Sequence, residues 1–290
     1  MTKSSFRTVC KQEVITMALI RHAFHIYIRR FPVYLTLLSP ILVGTAFLHV
    51  VGRYAYFGEL APIFISVFGI LLNIVSLLTI LALITASGIF IQKTQIPVSI
   101  KNILRAAMSR TLPFFALFII ISIVTFIVPA FLALVGLSID NKVLITVLSV
   151  ASIAWIVALT LLFLFSSYVL ILEKDGPFKS LQKSAILFLN RPLAVTLRFS
   201  LIVLISSAAA IAFSIATTII IAAIAGETGL LFNTALSKTL SPWWKDLVVS
   251  IYAYLGLPPI IIGTARLFLE SKKAHEESGT DYRAGDSRSA

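Results

Sequence analysis

The chain is poor in charge and almost without cysteine. One of its 290 residues is a cysteine, Cys10, which excludes an intramolecular disulfide and any cysteine-built metal cage. Acidic residues number only 12, and none lies in the middle of a long apolar run. Proton or sodium coupling through intramembrane carboxylates is thereby disfavoured, because such coupling places ionisable groups at depth. Charged residues make up 12% of the chain, about half the share of a soluble domain. No Ser–His–Asp set, HExxH, P-loop or GxGxxG pattern occurs. His22 and His25 share a helical face, but two imidazoles beside Arg21 and Arg29 make a poor cation site. No metal or other cofactor is expected, and no enzymatic activity.

What is present is hydrocarbon. Hydrophobic residues are 59% of the chain and mean hydropathy is +1.00. No aqueous core of this size hides so much apolar surface, so lipid must be the solvent for most of it. Six runs are long enough to cross a bilayer: Val33–Val51, Pro62–Ile91, Leu112–Leu137, Val143–Leu172, Leu193–Ala225 and Leu247–Leu269. They lack the alternation of a β-barrel, so they are helices. The net charge of +12 lies beside these runs and not on a soluble basic face, so it points to anionic lipid and excludes nucleic acid as the partner. Eighteen Lys and Arg fall on the side of both termini and four on the other. The positive-inside rule then predicts cytosolic termini in a cytoplasmic (inner) membrane. The first apolar stretch is broken by Arg21, His22 and His25, so no cleavable signal is expected. Residues 271–290 lack apolar periodicity and read as a disordered cytosolic tail.

A period of about 80 residues organises the rest. Arg21, His22, His25 and Arg29 are spaced as Lys101, Asn102, Arg105 and Ser109 are, and Gln182, Lys183, Ile186 and Asn190 repeat the steps with one apolar exception. Four positions so spaced form one stripe about 100° wide on a helix. Each segment ends in Arg with Pro soon after: Arg30 and Pro32, Arg110 and Pro113, Arg191 and Pro192. The expected architecture is an all-α, six-helix transmembrane bundle of three repeats, each an interfacial helix, a corner and two spans. The membrane domain covers residues 1–270, with repeats at about 14–92, 98–173 and 179–270.

The run Glu173-Lys-Asp-Gly-Pro-Phe-Lys-Ser-Leu-Gln-Lys-Ser184, followed by Asn190-Arg-Pro and a long span, resembles an element of two bacterial groups. These are the YciC-like inner-membrane proteins and the membrane domain attached to some glycerophosphodiester phosphodiesterases. The resemblance is best over spans four and five. It implies a six-span membrane fold; it carries no functional residues, and the soluble phosphodiesterase domain is missing.

Two sets of candidate residues follow. Arg21, Arg29, Arg30, Lys101, Arg105, Arg110, Lys179, Lys183 and Arg191 are placed to meet anionic headgroups, or to form a collar round a lipid entry site. Asn73, Gly256, Pro258 and Pro259 are candidates for a hinge or cavity. Asn73 is expected to hydrogen-bond to a neighbouring helix. The adjacent prolines should kink or break span six near its middle and free backbone carbonyls. Ala82 and Ala86, and Ala151, Ala154 and Ala158, are expected at helix–helix seams. Pro242-Trp243-Trp244 is an interfacial anchor. The expected role is lipid handling or membrane organisation. The alternative is a transporter or channel for a neutral or amphipathic solute, with the broken sixth span as its moving part.

Overall fold

The computed structural model describes residues 3–54, 61–92, 99–137, 142–224 and 243–286. The loop with Pro242, expected on the non-cytosolic side, and the span-two exit at Lys93 fall outside the described residues. Every regular element described is helical. In order these are α1 (Lys3–Arg29), α2 (Phe31–Tyr54), α3 (Ala61–Gln92), α4 (Ile100–Met108), α5 (Thr111–Leu137) and α6 (Lys142–Leu162). A single turn, α7 (Ser166–Tyr168), runs into a π-helical turn at Val169–Glu173. Then come α8 (Pro177–Asn190), α9 (Pro192–Ile224), α10 (Trp243–Leu255) and α11 (Leu257–Asp286).

Six stretches are long and apolar enough to cross a membrane: Phe31–Val51, Ile63–Gln92, Thr111–Gly136, Val143–Glu173, Pro192–Ile221 and Asp246–Glu277. Large apolar side chains stand open along them, as at Ile119, Ile123, Phe126 and Ile127 of α5, which are 55–61% exposed. Water would not tolerate such stripes, whereas lipid does. The chain is an integral membrane protein with all-α architecture.

The helices group into two compact units, residues 1–103 with 200–263 and residues 104–199 with 264–290. In the first unit α2 packs on α3 and on α10. In the second α5 packs on α6, and α8 packs on both.

The three corners have one local geometry. Arg30, Arg110 and Arg191 each stand between two helices, and each backbone N–H donates to a carbonyl three residues back. Each arginine carbonyl then accepts the N–H four residues on, at Tyr34, Phe114 and Val195. Those three side chains are buried, and so are Ala23, Ile103 and Ser184, seven residues before each arginine. Pro32, Pro113 and Pro192 sit in the first turn of the following helix, where a missing N–H leaves no bond unmade.

Helix α11 runs to Asp286, with Lys272–Glu276 and Lys273–Glu277 pairs one turn apart. Span six is broken at Gly256, and Pro258 and Pro259 lie buried in the first turn of α11. One expectation is corrected: Ala151, Ala154 and Ala158 are exposed, whereas Ala82 and Ala86 are buried as expected.

Candidate functional site

The residues singled out by charge separate into open and engaged groups. Arg21 and Arg29 are exposed on α1, and Lys101 and Arg105 on α4, opposite the buried Ile103 and Ala107. Arg191 is exposed at its corner. Arg30 lies with its guanidinium 5.2 Å from the centre of the Phe90 ring, a cation–π contact. Arg110 donates from Nη1 to the Lys174 carbonyl at 3.2 Å. Lys179 pairs with Asp175 at 3.1 Å, and Lys183 pairs with both Glu173 and Asp175.

The engaged group belongs to a polar knot at the end of span four. That span is interrupted at Phe163–Phe165, where the chain leaves the α-helical path. Ser184, fully buried on α8, spans the gap. Its Oγ donates to the Leu162 carbonyl at 2.9 Å and accepts the Phe165 N–H at 3.1 Å. One hydroxyl thus serves both sides of a break in a region where a bare backbone group is costly. The π-helical turn then ends on Lys174, whose φ of 62° is left-handed. A side chain there costs about 1–2 kcal/mol. Gly176, the glycine that invites such a conformation, is instead extended and caps α8.

Glu173 and Asp175 flank Lys174, and their side chains are 14% and 13% exposed. Lys183 reaches both from α8, and Lys272 of α11 reaches Glu173 at 3.0 Å. The Lys183 ammonium holds the Asp175 carboxyl below the usual carboxylate range. The same hydrogen bond from Asp175, then that from Glu173, raises Lys183. Further along, Glu270 lies 3.4 Å from both Arg198 and Arg266, and Asn190 Nδ2 donates to His275 Nδ1 at 2.7 Å. The partners on α11 could not be foreseen, because they lie far along the sequence from the residues they meet.

Part of the open group lies on α1. A cavity of about 180 Å³ is lined by His22, His25, Ile26, Arg29, Arg30 and Phe90. A shallower one of about 690 Å³ lies along the same helix and includes Arg21, His22 and His25. Among the described residues no acidic side chain lines either. Burial pushes the nearby Tyr27 phenol up to about 12, so it adds no negative charge at neutral pH. Two arginines, two imidazoles and an aromatic wall on one cavity suit a phosphate-bearing group.

No protein-family model, curated protein or solved structure matches the chain.

The four remaining candidates are dispersed. Asn73 is exposed on α3 and makes no hydrogen bond among the described residues, so the expected interhelical bond is absent. Gly256 donates its N–H to the Tyr252 carbonyl at 3.0 Å. A Cβ there would stand 3.2 Å from that of Ala210, a tight contact that glycine avoids in the approach to α9. Gly263 permits a second close approach, since its Cβ would meet Ile202 at 2.9 Å. Among the described residues no group of three or more His, Cys, Asp or Glu is arranged to hold a metal.

Proposed function

We propose that this protein is a lipid-binding, membrane-organising component of the cytoplasmic membrane that holds an anionic headgroup at the corner between α1 and α2. One observation carries the reading: the cavity of about 180 Å³ where His22, His25, Arg29 and Arg30 converge beside Phe90. In this reading α1 lies along the cytosolic face, its cations towards headgroup phosphates and its buried side, Leu19, Ala23 and Ile26, towards the protein. Lys101 and Arg105, exposed on α4 without an acidic partner among the described residues, add to the same attraction. The likeness of Glu173–Ser184 to bacterial six-span families agrees with an inner-membrane setting, and the common geometry of the three corners supports a threefold unit.

The test is native mass spectrometry of the full chain in nanodiscs of mixed phosphatidylglycerol and phosphatidylethanolamine. Retained lipid should be enriched in phosphatidylglycerol over the bulk. Each cation near an anionic surface contributes about 1 kcal/mol, or about fivefold in affinity. The Arg21→Gln/Arg29→Gln/Arg30→Gln variant should therefore lose that enrichment. Retained lipid matching the bulk composition in the wild type would refute the reading.

A further inference from the structure

A second site lies deep in the first unit, where span six is interrupted. Between α9 and the α10–α11 break is a groove of about 500 Å³. Its polar groups are Ser206, Ser207 and Ser214 of α9 and Tyr252 of α10; the rest of its lining is apolar or glycine. Ser206 and Ser214 sit inside the apolar run Pro192–Ile221, so the groove is at hydrocarbon depth.

Two of the groove's buried serines lack the local bond that some serines elsewhere in the chain make. Ser76, Ser149 and Ser152 each turn the hydroxyl back to a carbonyl four residues earlier, which satisfies it locally. Ser206 and Ser214 are 3% and 8% exposed, yet neither hydroxyl makes a hydrogen bond among the described residues. Both line the groove. A hydroxyl held in hydrocarbon without a partner is unfavourable by about 2 kcal/mol or more, so each is an unmet demand directed at the groove's occupant.

The break adds acceptors of the same kind. In a continuous helix the carbonyls of Tyr254 and Leu255 would accept from residues 258 and 259, but both are proline and have no N–H. The wall opposite is fixed: Tyr252 Oη and Thr217 Oγ1 are 2.6 Å apart, and the Tyr252 ring stacks on Phe213. Gly256 holds α9 and the break together through its contact with Ala210.

We infer that this groove binds an uncharged lipid through a free hydroxyl, of the diacylglycerol type, with the hydroxyl among Ser206, Ser214 and the α10–α11 break. The chemistry selects the class. Among the described residues no charged side chain lines the groove, so a phosphate or amine headgroup would be buried unpaired there. A hydroxyl both donates and accepts, so it can satisfy serines and carbonyls together. Hydrocarbon depth requires a ligand that partitions into the bilayer, and the apolar lining receives its chains.

The test uses the full chain in phosphatidylcholine nanodiscs with a diazirine-bearing diacylglycerol, followed by peptide mapping of the crosslink. Labelling should fall on residues 206–215 or 249–260. Unlabelled dioleoylglycerol should displace it, and the 3-O-methyl ether should do so about tenfold less well, having lost its donor. Ser206→Ala/Ser214→Ala should reduce labelling by a similar factor, while Ser206→Thr/Ser214→Thr, which keeps both hydroxyls, should restore it. All variants are compared as monodisperse protein. Arg29→Gln/Arg30→Gln should label as wild type, so failure of the headgroup site leaves this result unaffected. Equal displacement by the methyl ether, full labelling of the alanine pair, or equal loss in the threonine pair would each overturn the inference, leaving the groove as a seat for bulk lipid.

Discussion

At the scale of the residue, one hydroxyl does the work of a turn of helix. Ser184→Ala removes a donor to Leu162 and an acceptor for Phe165 together, and leaves both backbone groups unmet in a low-dielectric setting. The expected loss is about 1–3 kcal/mol, read as a lower midpoint of thermal unfolding in detergent. An unchanged midpoint would show that the break is satisfied by other means. Lys174 offers the opposite experiment. Its left-handed backbone disfavours a side chain, so Lys174→Gly should stabilise by about 0.5–1 kcal/mol once the added freedom of the unfolded glycine is counted. A lower midpoint would mean that the lysine side chain outweighs the backbone relief. Asn73 shows where sequence reasoning fails at this scale. An amide in an apolar run announces a need for a partner but not whether the fold supplies one. Here it supplies none among the described residues. Asn73→Leu should therefore raise the midpoint, and a fall would reveal a partner beyond this chain.

At the scale of the element, the corners were legible and the interruption of span four was not. An arginine followed by proline ends one helix and starts the next by local sterics alone, which is why Arg30, Arg110 and Arg191 stand where the spacing places them. The break at 163–165 contains neither glycine nor proline. It exists because Ser184, about 20 residues later, offers a hydroxyl, and no local pattern encodes that encounter. The motif from Glu173 to Ser184 is best understood this way: its acids, Lys179, Lys183 and Ser184 dock α8 against the end of the span. That docking is pH-dependent in a direction that can be worked out. Asp175 has a lowered folded pKa, so its contribution is full above its unfolded value near 4 and lost as pH falls through the folded one. Lys183 has a raised folded pKa, so its contribution is full below about 10.4 and lost as pH rises through the folded one. Protection factors of the α8 amides, corrected for intrinsic exchange, should be flat between those limits and fall beyond either. In Asp175→Asn the acid-side change should shrink; an identical acid limb would remove Asp175 from the account.

At the scale of the whole molecule, the six spans were legible because hydrocarbon thickness sets their length, and the division into two units was not, because it depends on contacts between distant helices. Orientation follows from charge alone and can be tested without disturbing the fold. Cys10 is the one native cysteine and lies ahead of the first span, while Ser237 lies in the loop before the last. An even number of crossings with cytosolic termini places these two positions on opposite sides. A membrane-impermeant maleimide should modify Cys10 in inverted vesicles only. In a Cys10→Ser/Ser237→Cys background it should modify the new cysteine in right-side-out vesicles only. The reverse pattern would invert the charge argument and place α1 and its arginines on the other face, away from the anionic leaflet that the headgroup site requires. Modification of both positions from one side would instead mean an even number of crossings between residues 10 and 237, so that one of the six apolar helices lies outside the path across the bilayer.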